Sequence, residues 1–500
     1  MLLAIPDLSG KRGIRTPGPV KVNGFQDRRD RPLRHLSNDV RTICGKAAAK
    51  LILFFTPYNR ETYFPRICLH TLCMSRICRT FAQIVSTLHT TESMLQEYTM
   101  IAKTFKGLEG VLADELLHLG ANNIQIQRRA VQFTGDKSLM YKANLWLRTA
   151  SRILKPIATF QARDADEVYD RIKELDWEKY ISCNSSIAID STVYSDIFRH
   201  SRYVTYRVKD AIVDFFMERF GKRPNVKLNG PDLYINIHIA QTTVTVSLDS
   251  SGESLHKRGW RSEQTEAPIN EALAAGMLLM TGWNGHSDLI DPMCGSGTFL
   301  IEAAMIALNI PPGIYRDKFA FEKWNDFDSE LFETLYNDES DNREFRYHIF
   351  GSDSSYYAVK VAEKNVKNAG LQHYITLQQV AIQELKPQSQ NALIITNPPY
   401  GERLEPKNIS QLYDNIGTAL KHKFSGSTAW IISSNKEALK RIGLKPSKKI
   451  PLLNGDLDCL FVKYELFTGE HKDYKRNKRN IATKQTFDTT LCEHYGRTAD

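Results

Sequence analysis

Three short strings in the C-terminal half combine residue types that could hold a ligand and act on it. The first is Asp291-Pro-Met-Cys-Gly-Ser-Gly-Thr298, placed after a short apolar run and before the apolar segment Phe299 to Leu308. Gly295 and Gly297 let a strand-to-helix turn close tightly and bring backbone near a ligand. No Gly-Lys-Ser/Thr follows, so this is not a nucleotide-triphosphate loop, and the three-glycine dinucleotide fingerprint is absent. An acid at the strand end suits the amino group of an amino-acid-like ligand. The second string, Phe350-Gly-Ser-Asp-Ser354, ends another apparent strand. Asp353 there is placed either to receive the two hydroxyls of a ribose or to cap the helix that follows, Ala358 to Asn368.

The third string is Ile395-Thr-Asn-Pro-Pro-Tyr-Gly-Glu-Arg-Leu404. Two consecutive prolines stiffen an extended backbone and remove two N–H donors. What remains is a set of acceptors, the Asn397 amide oxygen and the Pro398 carbonyl. They suit an exocyclic amine whose lone pair must face an electrophile. Tyr400 offers a flat face for a base.

These strings need a scaffold that brings strand ends together. From about Ala267 the sequence alternates strand and helix, with strands expected at Asp288–Ile290, His348–Ser352, Ala392–Thr396 and Ala429–Ser433, and Cys459–Leu466 closing the series. That is the pattern of a doubly wound parallel sheet. Upstream, strands are expected at Met100–Phe105, Ala130–Phe133, Ile187–Ser191, Leu233–Ile239 and Thr243–Leu248. Helices are expected at Leu108–Leu119, Leu139–Thr149 and Tyr203–Phe220. This mixture predicts a small α+β unit.

Taken together, the glycine loop, the second acid and Asn-Pro-Pro-Tyr, in this order, resemble class I S-adenosylmethionine methyltransferases that modify amino nitrogens. The fuller strings Asp291–Ala304 and Asn397–Leu404 resemble the large-subunit ribosomal RNA guanine-N2 methyltransferase family. Leu255–Arg261 and Ala267–Ala274 are similar to that family's junction before the catalytic domain. Gly107-Leu-Glu and Arg207–Asp214 resemble its ferredoxin-like and THUMP portions. The likeness covers about residues 99 to 466.

The resemblance implies a Rossmann-like α/β class I methyltransferase domain preceded by an α+β ferredoxin-like/THUMP RNA-binding module. It implies S-adenosyl-L-methionine as cofactor, held by Asp291, Pro292, Cys294, Gly295, Gly297, Thr298, Asp353, Ala381 and Asn397. Asn397, Pro398, Pro399 and Tyr400 would form the reacting end. The family's acid near the adenine is missing: Ala381 occupies that position, with Gln383 and Glu384 nearby. Several relatives continue into a second methyltransferase domain, so the guanine-N2 activity alone is implied here. The expected substrate is large-subunit ribosomal RNA or its precursor particle. The competing readings are a DNA adenine-N6 methyltransferase and a non-catalytic RNA-binding assembly factor.

Expected boundaries follow: a basic extension over 1–94, the ferredoxin-like part over 95–138, THUMP over 139–250, a linker over 251–266, the catalytic domain over 267–468 and a basic tail over 469–500. The extension is expected to be disordered or mis-started. Its first 94 residues hold 15 Lys and Arg against 6 Asp and Glu, which accounts for the whole net charge of +9. The rest balances to zero, so any RNA surface there depends on local clusters. The candidates are Arg199, Arg202, Arg207, Lys222, Arg223, Lys257, Arg258 and Arg261. Eight cysteines at irregular spacings, with no CxxC pair, indicate no disulfide framework or zinc ribbon. Cys68, His70, Cys73 and Cys78 fit no known zinc spacing, so no metal is expected. The longest apolar run, near Leu51–Phe55, is far too short to span a membrane. A cytoplasmic location is expected.

Overall fold

The computed structural model describes residues 97–467, apart from 199, 267, 387–388, 401–405 and the side chains of 406 and 407. The basic extension, Cys68, His70, Cys73, Cys78 and the basic tail lie outside the described residues.

The first module runs β1 (Tyr98–Thr104), α1 (Glu109–His118), β2 (Asn122–Gln127), β3 (Ala130–Gly135), α2 (Lys137–Trp146), β4 (Ala150–Gln161), α3 (Ala165–Lys173), β5 (Ser186–Tyr194), α4 (Ser201–Phe220), β6 (Asn225–Val226), β7 (Leu233–Ala240) and β8 (Thr243–Asp249). Its strands form one eight-stranded sheet in the order β2-β3-β1-β4-β8-β7-β5-β6. Strand β7 shows why one face is enough to hold it: Leu233, Ile235, Ile237 and Ile239 are buried, while Tyr234, Asn236 and His238 are half-buried. This period of two marks a sheet with one packed face.

Strand β4 is the seam of the module, pairing with β1 through its first half and with β8 through its second. No strand is expected there from sequence, and the helix before it is expected to run to Thr149. The helix ends at Trp146, and the proline is absorbed by a register shift between Pro156 and Ala158. Strand β2 was also missed. It is a polar edge strand with almost every residue exposed, so it carries no apolar alternation.

The second module continues with α5 (Glu271–Thr281), β9 (Leu289–Asp291), α6 (Thr298–Ala307), α7 (Ser329–Tyr336), β10 (Ile349–Asp353), α8 (Tyr356–Asn368), β11 (Ile375–Gln379), β12 (Leu393–Thr396), α9 (Pro406–Lys423), β13 (Thr428–Ser433), α10 (Lys436–Arg441), β14 (Lys448–Asn454) and β15 (Leu457–Glu465). The seven strands order as β11-β10-β9-β12-β13-β15-β14. β9 to β13 are mutually parallel, as expected. The closing strand differs from expectation: β15 inserts antiparallel between β13 and β14, and β14 itself was missed. Pro451 sits in β14, which is tolerated because β14 is the edge. Every residue of β9 and β12 is buried, as two-sided packing demands.

The two modules share packing. Leu108 from the first joins the core of the second. It lies so close to Gly276 of α5 that a Cβ there would come within 2.6 Å of its Cδ2. In return, Phe319, Phe321 and Phe332 pack into the first module's core, with Phe321 stacked on Tyr141 at 4.5 Å.

Candidate active site

The parallel strands run outward from β9 through β10 to β11 on one side and resume with β12 on the other, so the winding reverses between β9 and β12, and ligands in such sheets bind beyond the strand ends around that reversal. Asp291 ends β9, Asp353 ends β10, and Asn397 follows the last residue of β12. Register holds the three together, with Gly351 opposite Asp291 and Ile394 opposite Ile290.

The glycine loop is built as its residues predict. Gly295 and Gly297 both have positive φ, 52° and 82°, a conformation costly for other residues. A Cβ on Gly297 would press to 3.3 Å from Ala362 Cβ of α8. The Cys294 N–H donates to the Ser352 carbonyl (2.9 Å), tying the loop to β10. Gly297 is the N-cap of α6 and supplies no side chain, so the helix opens its N–H groups at the loop.

Asp291 is 1% exposed and accepts the Met293 N–H at 3.2 Å. Burial pushes its carboxyl up to about 7; the Met293 N–H opposes that rise, and the negative charge of Asp353 adds to it. A group so placed gains from a cation brought beside it. Asp353 accepts the Gly295 N–H (3.1 Å) on one oxygen and the Ser355 N–H (2.9 Å) on the other. The cap of α8 is Ser355, whose hydroxyl accepts from Ala358 N–H at 3.3 Å. The capping alternative for Asp353 is thereby removed. A carboxylate has about four lone-pair positions, so each oxygen keeps one for a ligand.

Asn397 carries the most telling atom. Its Oδ1 is buried and accepts no hydrogen bond from the described residues. A buried amide oxygen without a donor costs roughly 1–3 kcal/mol, and a donor arriving in the site would recover that loss. Pro398 is buried and Pro399 half-buried beside it.

Two expected site residues are corrected. The Tyr400 ring is 3% exposed and packed in the catalytic core, its hydroxyl accepting from Asn454 Nδ2 at 2.6 Å. Held this way, it anchors the Asn-Pro-Pro turn to β14 and offers no free face to a base. The Cys294 side chain is likewise core, and burial pushes its thiol well above the ordinary range. Only its backbone belongs to the loop. Pro292 is buried, and Thr298 is the first residue of α6, its hydroxyl turned to an arginine described below. Ala381 opens a turn in which its carbonyl accepts from Glu384 and Leu385 N–H. The preceding Val380 N–H holds the Asp353 carbonyl (3.1 Å), so Ala381 lies beside that strand end; Gln383 and Glu384 are exposed.

The basic residues separate into two groups. Arg202, Lys222 and Arg223 are exposed on and after α4. Arg207 is tied to Asp166 at 2.8 Å and lies over the Tyr169 ring, and Lys257 pairs with Glu253. Arg258 and Arg261 are corrected outright. Arg258 is buried with Glu302 of α6 (3.1 Å, side chains 1% and 0% exposed) and also donates to the Arg148 and Leu255 carbonyls. Arg261 turns into the glycine loop, donating to Ser296 Oγ and Thr298 Oγ1 at 2.9 Å each. Arg199 lies outside the described residues.

Sequence reasoning also missed Glu302 and Asn365, both fully buried. A signal existed: each is a lone polar residue inside a helix face that is otherwise apolar. Among the described residues there is no cluster of three or more His, Cys, Asp or Glu arranged for a metal, and no helix long and apolar enough to cross a membrane.

Residues 258–463 match the family described as the RMKL-like methyltransferase domain, residues 99–154 the RlmL ferredoxin-like domain, and residues 162–249 the THUMP domain. A Synechocystis protein assigned as an RNA methyltransferase is 39% identical over 369 residues, which is 73% of this chain and 96% of that protein. The chain belongs to this methyltransferase family. A ribosomal RNA large subunit methyltransferase K/L from Syntrophotalea carbinolica is 38% identical over 374 residues, 72% of this chain and 52% of that protein. The chain thus spans about half the length of the K/L relatives it matches. Among solved structures, one assigned as a methyltransferase and complexed with SAH is 32% identical, with a TM-score of 0.68 over 75% of this chain and 100% of that one. Family membership accounts for both modules: ferredoxin-like and THUMP domains precede a class I methyltransferase domain.

Proposed function

We propose that this family member transfers a methyl group from S-adenosylmethionine to the exocyclic N2 of a guanine in large-subunit ribosomal RNA. The observation that carries the reading is the buried Asn397 Oδ1, without a donor among the described residues, beside two strand-end carboxylates. The residues fit the cofactor: Asp291 would meet its ammonium, Asp353 its ribose hydroxyls, the Gly295–Thr298 backbone its amino-acid portion and the turn at Ala381 its adenine. When bound, the cofactor supplies a methyl group on a sulfonium, already a strong electrophile.

What the chain then contributes is orientation. Asn397 Oδ1 and the Pro398 carbonyl would accept the two amine protons and turn the nitrogen lone pair toward the methyl group. As nitrogen gains positive charge, the same two acceptors grow stronger, which is where catalysis arises. Tyr400, Pro398 and Pro399 hold these acceptors still. A guanine in folded RNA must be extruded to reach them. The upstream module, with exposed Arg202, Lys222 and Arg223, would hold the RNA by its phosphates. A cytoplasmic location follows from that substrate.

The test is label transfer from tritiated S-adenosylmethionine to deproteinised ribosomal RNA, to precursor particles and to duplex DNA, with mass analysis of the nucleosides. N2-methylguanosine in large-subunit RNA is expected, and the better of the two RNA arms identifies the substrate form. Label in DNA adenine would replace this reading with the adenine-N6 one. No label in any arm would leave an RNA-binding assembly factor.

A further inference from the structure

The segment joining the modules is woven into the cofactor loop. Arg261 donates from Nη1 to Ser296 Oγ and from Nη2 to Thr298 Oγ1, each at 2.9 Å, and from Nε to Glu271 Oε1 at 2.7 Å. Ser296 is the residue between the two positive-φ glycines, so this guanidinium grips the loop at the centre of its glycine turn. Asn365 of α8 grips it from the other side: its Nδ2 donates to the Ser296 carbonyl and to the Glu263 carbonyl at 3.0 Å each, while its Oδ1 accepts the Ser262 N–H at 3.2 Å. Ser296 is therefore held by its hydroxyl through Arg261 and by its carbonyl through Asn365. Arg261 itself is fixed by Glu271, which is buried at the start of α5.

A loop with two glycines is costly to order: restricting one residue's backbone costs about 1–2 kcal/mol, and glycine loses the most. Ordering done by the protein in advance does not have to be done on binding. A forked, planar guanidinium reaches two hydroxyls and a carboxylate at once, which a lysine ammonium cannot match in geometry.

We propose that Arg261 is a positioning residue for the cofactor: it presets the Gly295–Thr298 turn, so the connector from the RNA-binding module sets cofactor affinity. This rests on reading that turn as the S-adenosylmethionine site. Arg261→Gln should weaken S-adenosylhomocysteine binding to the full chain roughly tenfold, the loss of about one and a half ordinary hydrogen bonds. Arg261→Lys keeps the charge beside Glu271 and should fall between. At saturating cofactor, the methyl-transfer rate of either variant should approach wild type, so the effect lies in KM and not in kcat.

Calorimetric titration with S-adenosylhomocysteine, beside the thermal midpoint of each ligand-free variant, is the measurement. Asp353→Ala serves as the control for the site. Wild-type affinity in Arg261→Gln, with affinity lost in Asp353→Ala, overturns the role of Arg261 and leaves the cofactor site standing. Unchanged affinity in both overturns the site itself. A lowered thermal midpoint with unchanged affinity makes Arg261 structural only, which also overturns the proposal. Should Arg261→Gln fail to fold, Ser296→Ala removes one of the two grips without disturbing any charge. It should weaken binding severalfold, and wild-type affinity there defeats the proposal equally.

Discussion

The two sheets of this protein bury their strands in different ways, and the difference decides where chemistry can sit. In the eight-stranded sheet, β7 packs one face and leaves Asn236 and His238 half-buried on the other. On the proposed reading its RNA contacts would be spread over exposed cations such as Lys222 and Arg223, none of which is required to be in one place. In the seven-stranded sheet, β9 and β12 are buried along their whole length, so only the strand ends are open to a ligand. There Asp291, Asp353 and Asn397 converge. The first arrangement would distribute function over many weak contacts; the second would concentrate it in a few atoms whose loss should be felt singly.

Substitutions should divide along that line. The largest effect is expected where the modules meet: Glu302→Ala leaves Arg258 buried without its carboxylate, which typically costs about 3–5 kcal/mol. Urea unfolding should show that loss, and a change under 1 kcal/mol would mean that the modules do not depend on the pair. Next comes Asp291. Its folded pKa is raised to about 7 by burial, so its contribution to stability is complete below about pH 4 and is lost as pH rises through 7. Asp291→Asn should therefore stabilise the ligand-free protein at pH 8 by up to about 4 kcal/mol, yet leave it unchanged near pH 4. The same variant should lose cofactor affinity, since stability and binding are opposed at this residue. In the wild type, S-adenosylhomocysteine should bind up to tenfold more weakly for each pH unit below 7, with a plateau above. A flat profile from pH 5 to 8 would show that the ionised Asp291 is not what meets the ligand.

The smallest effects belong to the distributed surface. Lys222→Ala and Arg223→Ala should each alter stability by no more than about 0.5 kcal/mol. Each should reduce the slope of log affinity for RNA against log salt by roughly one, without changing which sequence is bound. A single one of these that abolished RNA binding would break the contrast between the two sheets.

What sequence could tell follows the same division. The strand-end placement of Asp291, Gly295, Gly297, Asp353 and Asn397 was legible because such positions are written as short strings, each punctuated by glycine or proline. The parallel strands were legible as apolar runs. Strand β4 was hidden because its proline is tolerated only at a bulge, and β2 because an exposed edge carries no pattern. The arginines misled most. Arg258 and Arg261 are indistinguishable in sequence from surface cations, and their buried partners Glu302 and Glu271 are 44 and 10 residues away. Tyr400 misled in the opposite sense, since a tyrosine after two prolines looks available, and only the tertiary contact with Asn454 takes it into the core.

On the proposed reading Asn397 Oδ1, which has no donor among the described residues, receives the amine that is methylated. Single-turnover transfer to unmodified ribosomal RNA by Asn397→Ala tests it most directly. Losing one preorganised acceptor of this kind should slow transfer roughly a hundred- to a thousandfold, while affinities for S-adenosylhomocysteine and RNA stay within about twofold of wild type, as expected for an interaction made in the transition state. Transfer by Asn397→Ala at the wild-type rate would contradict it.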